Sequence, residues 1–549
     1  MSARTEVAVV LVACAVLYLT GSADIPFYTR GEPREGLVVR EMLATGNWLV
    51  PSRPDGEPIR KPPLYYWAAA GAARVLPARP ELTLRLPSAV LATVGTLATW
   101  AAARRAFGAA AGLPSALVLA TAFEWVRAGT SARIDMTLAA TLAVLLALWT
   151  RALARGRTVA LLPAALAAAL GTLAKGPVAL VLPALAAAGL AIVGRDAGVL
   201  RRLRVGTVLG LAAGAAAAWY AIAIAREGTQ LLGVVARENV LRFVDTEDAG
   251  TGHAHGLGYL LPLGLVGLLP WVPLLPLAVA GARRAPRAAG GLAAAWVLAG
   301  IAFFSLAAAK RSVYLLPCFP ALALLIGAGV ATPGGARAER GARALAALYT
   351  PATLLLAAAG AALALGVDPG APFARLLRED DAAGAAVVAR VAHEQAAVLL
   401  PAALATVAGT IAIARARRRG DWRRLVLVVA ALAVAWTAAF DARLHPAIAR
   451  ARSHAAFLAR VDTLVPPDVP LYAVFPPDPG VRFYAPRPLR RWPPPADGAP
   501  HPSLLWEDEW RRLPDAPAPL ATGDVRSGSH GRLLLVPAVA PVRTGSRSP

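Results

Sequence analysis

The segment "GEPREGLVVREMLATGNW", residues 31–48, places Glu32 and Glu35 three residues apart, on one face of an amphipathic helix. A carboxylate so placed can take a proton from a bound hydroxyl or amine. The alternative is a charged helix face whose acids pair with Arg34 or Arg40. In "IRKPPLYYW" (59–67), Lys61 stands beside Arg60 and ahead of a stiff Pro62–Pro63 pair, with Tyr66 close behind. A lysine there is a point-charge ligand for phosphate, or an anchor that snorkels to a membrane surface. "SARIDM" (131–136) sets Arg133 and Asp135 where a loop enters an apolar run, a costly place for an acid without a partner or a role. An ion pair or a helix cap would also explain it. "AAKRSVYLLPCFP" (308–320) adds Lys310 and Arg311, which suit a bound anion. "RENVLRFVDTEDAGTGHAHGLGY" (237–259) brings His253 and His255 near several carboxylates, either as ligands of a divalent metal or as parts of a solvated loop.

These residues need elements to hold them, and composition says which. The 549-residue chain is 57% hydrophobic and only 16% charged, with a mean hydropathy of +0.55. Apolar windows long enough to cross a hydrocarbon core of ~30 Å recur along it. They fall near 6–22, 87–103, 109–124, 136–150, 158–174, 176–194, 205–225, 257–280, 289–308, 312–331, 344–366, 396–414 and 425–440. The expected fold class is therefore a polytopic α-helical membrane protein with about 13 transmembrane helices. The first window, although "TGSAD" follows it, reads as an uncleaved helix rather than a cleaved signal peptide. The formal charge of +23 does not indicate nucleic acid, because the arginines cluster in alternate short connections, the positive-inside pattern. Cys14 and Cys318 lie in apolar segments and read as packing residues.

With the N-terminus inside, an odd helix count places residues 23–86, 226–256 and the tail on one outer face, joined by a shorter connection at 125–135. The candidate acids and cations all lie on that side, at helix ends or in long loops. Residues 1–440 read as a transmembrane domain. Residues 441–549 read as a small outer α/β domain, with "VPLYAVF" and "RLLLVPAV" as strands and "LLWEDEWRRL" as an amphipathic helix. Charge-poor span centres and the lack of an internal repeat speak against an alternating-access transporter. No Walker A, H-E-x-x-H, G-x-S-x-G or dinucleotide fingerprint is present. What the residues suggest is chemistry on a lipid-linked anionic substrate, or else lipid-phosphate binding or transport without catalysis.

The run "GEPREGLVVREMLATGNWLVPSRPDGEPIRKPPLYYW" resembles the first outer loop of the 4-amino-4-deoxy-L-arabinose transferase and protein O-mannosyltransferase superfamily. "ARIDM", "GTLAKGPVALVLP", "RENVLRF…GHAHGLGY", "GLLPWVPLLP" and "FFSLAAAKRSVYLLPCFPALALLIG" resemble its later blocks in the same order. The resemblance implies a GT-C fold with amphipathic helices in the first periplasmic loop. It also implies an inverting glycosyltransferase of the bacterial inner membrane, active at the periplasmic face. The donor would be a polyprenyl (undecaprenyl) phosphate sugar and the acceptor a glycolipid such as lipid A, a glycan or a protein. Lys61 matches the lysine of the K-P-P block, associated with phosphate binding, Asp135 the acid of a later block, and Tyr314 the tyrosine of Y-L-L-P. Two positions depart from the family. Gly31 stands where a leading Asp is usual, so either Glu32 or Glu35 acts as the acid or the acceptor chemistry differs from the family's. Arg60 replaces a frequent metal-ligating Glu, so a divalent metal is not a firm part of the site.

Overall fold

The computed structural model describes residues 1–54, 59, 61–76, 78–228, 233, 256–332, 336–368, 371, 379–474, 476–495, 501–513, 516–526 and 530–537. In chain order the helices begin with α1 (Ala3–Leu19), α2 (Gly31–Thr45), α3 (Leu64–Val75) and α4 (Pro80–Ala106). Next come α5 (Ala109–Ala120), α6 (Phe123–Gly129), α7 (Ile134–Ala154), α8 (Leu161–Lys175), α9 (Val178–Gly194), α10 (Gly198–Arg202) and α11 (Val205–Glu227). After these follow α12 (Leu260–Leu268), α13 (Leu275–Arg284), α14 (Arg287–Leu306) and α15 (Phe319–Ala331), the last entered through a 3-10 turn, Ser312–Cys318. The series continues with α16 (Ala336–Ala346), α17 (Tyr349–Ala364), α18 (Glu379–Glu394), α19 (Ala396–Arg419) and α20 (Trp422–Ala439). A π-helical turn, Phe440–Leu444, leads into α21 (His445–Arg452), followed by α22 (Ala455–Leu464).

Every apolar window contains a helix. Eight stretches among the described residues are long and apolar enough to cross a bilayer, ten when each of two bent pairs is taken as one span. α5 and α6 meet at 65°, and the helical stretches Leu257–Leu268 and Val272–Arg284 meet at 101° across Leu269–Pro270–Trp271, where proline supplies no N–H for a continuing helix. The segment 125–135, read as a loop, contains most of α6. At 15 and 17 residues, α8 and α9 are shorter apolar helices.

The chain folds as two compact units. The first comprises Met1–Ser22, Val38–Ala358 and Leu400–Ala439. The second comprises Ala23–Leu37, Ala359–Leu399 and Phe440–Pro549.

The first unit is a helical bundle around α7, which packs against α4, α8 and α14. Small residues set its spacing. A methyl group added at Gly171 of α8 would meet Thr141 Oγ1 of α7 and the Ala179 methyl of α9, each at 3.1 Å. Between these close contacts lie fully buried indoles: Trp149 stacks edge-on with Trp296 at 6.3 Å, and Trp271 Nε1 donates to Thr121 Oγ1 at 3.1 Å. The Trp271 N–H so paired avoids the cost of a polar group stranded in an apolar core.

The second unit carries a five-stranded mixed sheet, β1 (Leu471–Ala473), β2 (Leu489–Arg491), β3 (Ser503–Trp506), β4 (Ala521–Arg526) and β5 (Arg532–Val536), in the order β2-β1-β3-β5-β4. β1 runs parallel to β2 and β3, and β5 antiparallel to β3 and β4. Phe457, Leu458 and Val461 of α22 pack on Leu471, Leu504, Leu533 and Leu535. "LLWEDEWRRL" divides in two. Leu504 and Leu505 are drawn into β3 by burial and pairing with β5, and only Glu507–Trp510 turns into a helix, α24, after α23 (Pro479–Tyr484).

His454, ahead of α22, lies edge-on to Trp506 at 5.5 Å, and its Nδ1 has no hydrogen-bond partner. Burial holds its pKa below the ordinary 6.5, against a smaller upward pull from Asp478. The unfolded chain therefore binds the proton more readily. This contribution to stability is complete above about 6.5 and is lost as pH falls toward the depressed folded value. His454→Phe should flatten the melting-temperature profile of the full chain between pH 7 and pH 5 relative to the parent. Parallel profiles would contradict that assignment.

Candidate active site

Three helix ends meet at one place in the first unit. α7 starts after an extended Arg133 and carries Asp135 in its first turn. α8 stops at Lys175 because Gly176 follows at φ +79°, a backbone angle that favours glycine. The Ser312–Cys318 turn starts after Arg311 and carries Tyr314. Consecutive helices α7 and α8 pack together, so the start of one adjoins the end of the other.

At this junction Lys175 Nζ forms an ion pair with Asp135 Oδ1 and lies 5.3 Å from the centre of the Tyr314 ring. The charges of Arg133 and Arg311 also act on Asp135. Arg127 of α6 interacts with that acid too, while its Nε donates to Glu124 Oε2 at 2.9 Å and its Nη2 to Ser312 Oγ at 3.2 Å. Lys310, one residue before Arg311, is only 4% exposed. Four basic side chains, Arg127, Arg133, Lys175 and Arg311, thus gather on these ends against two acids, Glu124 and Asp135. The helix termini reinforce the charges, since an acid suits a helix N-terminus and a cation a C-terminus. The arrangement is a cluster of net positive charge, of a kind suited to phosphate oxygens.

Lys61 is half-buried ahead of α3, which packs on α4 and touches α7 and α8. Tyr66 is buried on α3, edge-on to Tyr65 at 5.7 Å, and Tyr65 Oη donates to the Leu84 carbonyl at 2.8 Å. The indole of Trp67 donates to the Trp48 carbonyl at 2.5 Å, tying α3 to the residues that follow α2.

In the second unit, Glu32 and Glu35 are each only 6% exposed, so the solvated helix face does not describe them. Arg34 donates to Glu35 Oε1 through Nη2 at 2.8 Å and Nε at 3.2 Å, a pairing that the alternative reading of this helix named. Arg60, His253 and His255 lie outside the described residues. Among the described residues no three His, Cys, Asp or Glu side chains come together to hold a metal ion.

Sequence reading missed Lys175, Arg127 and Glu124. Lys175 was visible only as a lone lysine in "AKG", 40 residues from its partner. Its one signal was a cation in an otherwise arginine-poor connection.

The family described as dolichyl-phosphate-mannose-protein mannosyltransferase matches residues 60–222. An undecaprenyl phosphate-alpha-4-amino-4-deoxy-L-arabinose arabinosyl transferase of Pectobacterium carotovorum is 30% identical over 367 residues, 65% of each chain. One from Pseudomonas aeruginosa is 31% identical over 335 residues, 60% of each. The chain thus spans less than two thirds of the length of either relative. The crystal structure of ArnT from Cupriavidus metallidurans bound to undecaprenyl phosphate superposes with a TM-score of 0.79 at 21% identity, covering 98% of this chain and 99% of that one. The apo form of ArnT gives 0.78 over the same shares. The fold is therefore that of the ArnT crystal structures, and these relatives are of the class that the ordered sequence blocks resemble.

Proposed function

We propose that the chain is an inner-membrane glycosyltransferase that moves a sugar from undecaprenyl phosphate or a similar polyprenyl carrier to a glycolipid, glycan or protein at the periplasmic face. The observation that carries this reading is the cluster of Arg127, Arg133, Lys175 and Arg311 around Asp135. In an inverting displacement the acceptor attacks the anomeric carbon as the bond to phosphate oxygen breaks. The carrier then leaves as a monoester bearing one more negative charge than the diester donor. Cations fixed beforehand around that phosphate favour the transition state over the ground state. Lys61 adds a further phosphate ligand. Glu32 and Glu35 orient or deprotonate the acceptor. The names of the relatives support aminoarabinose as the first donor sugar to test.

The test is single alanine substitution at Glu32, Glu35 and Lys61, with transfer from radiolabelled undecaprenyl-phosphate sugars assayed in proteoliposomes. Lys61→Ala should weaken undecaprenyl phosphate binding by about tenfold, the value of one modest charge-assisted contact. At least one glutamate variant should lose about 10²–10⁴-fold in turnover, the usual worth of a positioned acid or base. Full activity in all three would sink the site assignment. Lipid flux without a covalent product would point instead to a transport protein of the same fold.

A further inference from the structure

The first unit carries a concentration of charge that the transfer chemistry does not draw on. α16 opens with Arg337, Arg340 and Arg343, α19 closes with Arg415, Arg417, Arg418 and Arg419, and α20 opens with Arg423 and Arg424. The fold joins these segments. Arg417 Nη1 donates to the Arg343 carbonyl at 3.3 Å, and further along the same helices Thr410 Oγ1 donates to Thr353 Oγ1 at 2.7 Å. α17 continues α16, so this stretch and α19 run side by side in opposite directions, with the arginines at one end. Trp436 Nε1 of α20 donates to Thr406 Oγ1 of α19 at 2.7 Å, which keeps the third segment in the group.

Two acids stand among these arginines. Glu339 pairs with Arg343 at 3.3 Å, and Asp421 Oδ1 accepts from the Arg424 backbone N–H at 3.0 Å, capping α20. Arg415 and Arg418 are exposed, and no acid among the described residues pairs with either. On α19 the exposed residues Leu404, Val407, Ile411, Arg415 and Arg418 follow at three- and four-residue steps, so they share one face. The neighbouring stretch presents exposed Arg340, Arg343 and Leu354. At 24 residues α19 is long enough to cross a hydrocarbon core of ~30 Å, which puts its last turns at the depth of the lipid phosphates. Its exposed face is thus apolar along the span and basic at the end, the order of acyl chain and phosphate in a phospholipid. The positive-inside bias asks only for basic residues in a connection. It does not align Arg415 and Arg418 with exposed Leu404, Val407 and Ile411.

We propose that this end of α16, α19 and α20 binds a phospholipid with an anionic headgroup, taken from the surrounding bilayer. Arg340, Arg343, Arg415 and Arg418 hold the headgroup phosphate, which a guanidinium meets with a forked pair of N–H groups. Leu404, Val407 and Ile411 lie along an acyl chain. A free phosphate meets the same arginines and gains nothing from the apolar face. A zwitterionic lipid covers the apolar face and brings its own cation to the arginines. An anionic phospholipid satisfies both, and basic groups at the ends of spans attract such headgroups. The lipid so held ties α16 to the connection between α19 and α20 and relieves the repulsion among their like charges. The inference does not depend on the transfer reaction proposed above.

The test titrates the full chain, in detergent micelles containing phosphatidylcholine, with phosphatidylglycerol while its melting temperature is followed. A lipid that binds only the folded chain raises that temperature as it saturates its site. The parent should respond to phosphatidylglycerol and not to further phosphatidylcholine or to inorganic phosphate. Arg415→Gln combined with Arg418→Gln should move the titration midpoint to about tenfold higher lipid, as expected when two arginines facing an anionic headgroup are lost. Arg340→Gln combined with Arg343→Gln should do the same. Where that pair fails to fold, the α19 pair, which breaks no ion pair among the described residues, carries the comparison. Arg155→Gln combined with Arg157→Gln removes equal charge from the connection between α7 and α8, where both residues are exposed, and should leave the midpoint unchanged. Equal shifts in the α19 pair and this control, or no shift in the α19 pair, overturn the site. A response to inorganic phosphate or to phosphatidylcholine equal to that with phosphatidylglycerol overturns the anionic lipid as its occupant.

Discussion

Lys175→Gln and Asp135→Asn are expected to move lipid-phosphate affinity in opposite directions while both reduce turnover. Lys175 ends α8 with its Nζ between the Asp135 carboxylate and the Tyr314 ring. Replacing it by glutamine removes one cation from the cluster. Undecaprenyl phosphate binding should weaken about tenfold, and turnover should fall about 10²–10³-fold, as when one fixed donor to developing charge is lost. Asp135→Asn removes the acid that offsets Arg133, Lys175 and Arg311. The cluster becomes more positive, so the carrier binds more tightly. Turnover nevertheless falls, because Lys175 loses the partner that aims it and the product phosphate leaves more slowly. Equilibrium binding of labelled undecaprenyl phosphate, run beside the transfer assay, reads both effects. If Lys175→Gln leaves binding and transfer at parental levels, the cluster is not the phosphate site. If both variants weaken binding equally, the pair is merely structural.

The contrast between Asp135 and Lys175 shows what the sequence reveals and what it hides. An acid at the mouth of an apolar run is conspicuous because its cost is local, whereas a lysine at a helix end is ordinary until the fold gives it a partner. α7 and α8 make that partnership by packing as neighbours, which apolar length alone does not specify. The helices were legible for a related reason. Runs of small and branched apolar residues identify each window, but not whether the window forms one span. The 65° and 101° bends fall inside two of these windows, and apolar length does not mark them. Glu32 and Glu35 were legible as a pair on one face, while their burial was not, since acids at that spacing are compatible with water or with a core. The Tyr28–His445 contact joins residues 417 positions apart and left no local trace. β3 shows the same limit at short range: its leucines fit a helical face or a strand, and only pairing with β5 decides.

Gly329→Ala is expected to remove most of the folded protein, although it adds a single methyl group. α15 and α13 approach so closely that a methyl at Gly329 would collide with the Leu277 carbonyl oxygen and lie 2.7 Å from its carbon. The contact is reciprocal, because a methyl at Gly281 of α13 would strike the Leu325 carbonyl and lie 2.8 Å from Gly329 N. Backbone atoms of two helices cannot turn aside as a side chain would, so the helices must separate along their length. Overpacking against mobile side chains costs about 1–3 kcal/mol, and a collision of backbones should exceed that. Between apolar helices in lipid, close packing is a main source of association, so little else compensates. Gly214→Ala on α11 is the control, since nothing lies within 4 Å of its added methyl. Relieved of glycine's poor helix propensity, it should match the parent or gain up to about 1 kcal/mol. Size-exclusion profiles and melting temperatures in one detergent decide the matter. The close approach of α13 and α15 predicts that Gly329→Ala aggregates or melts far below Gly214→Ala, and equal melting of the two would contradict it.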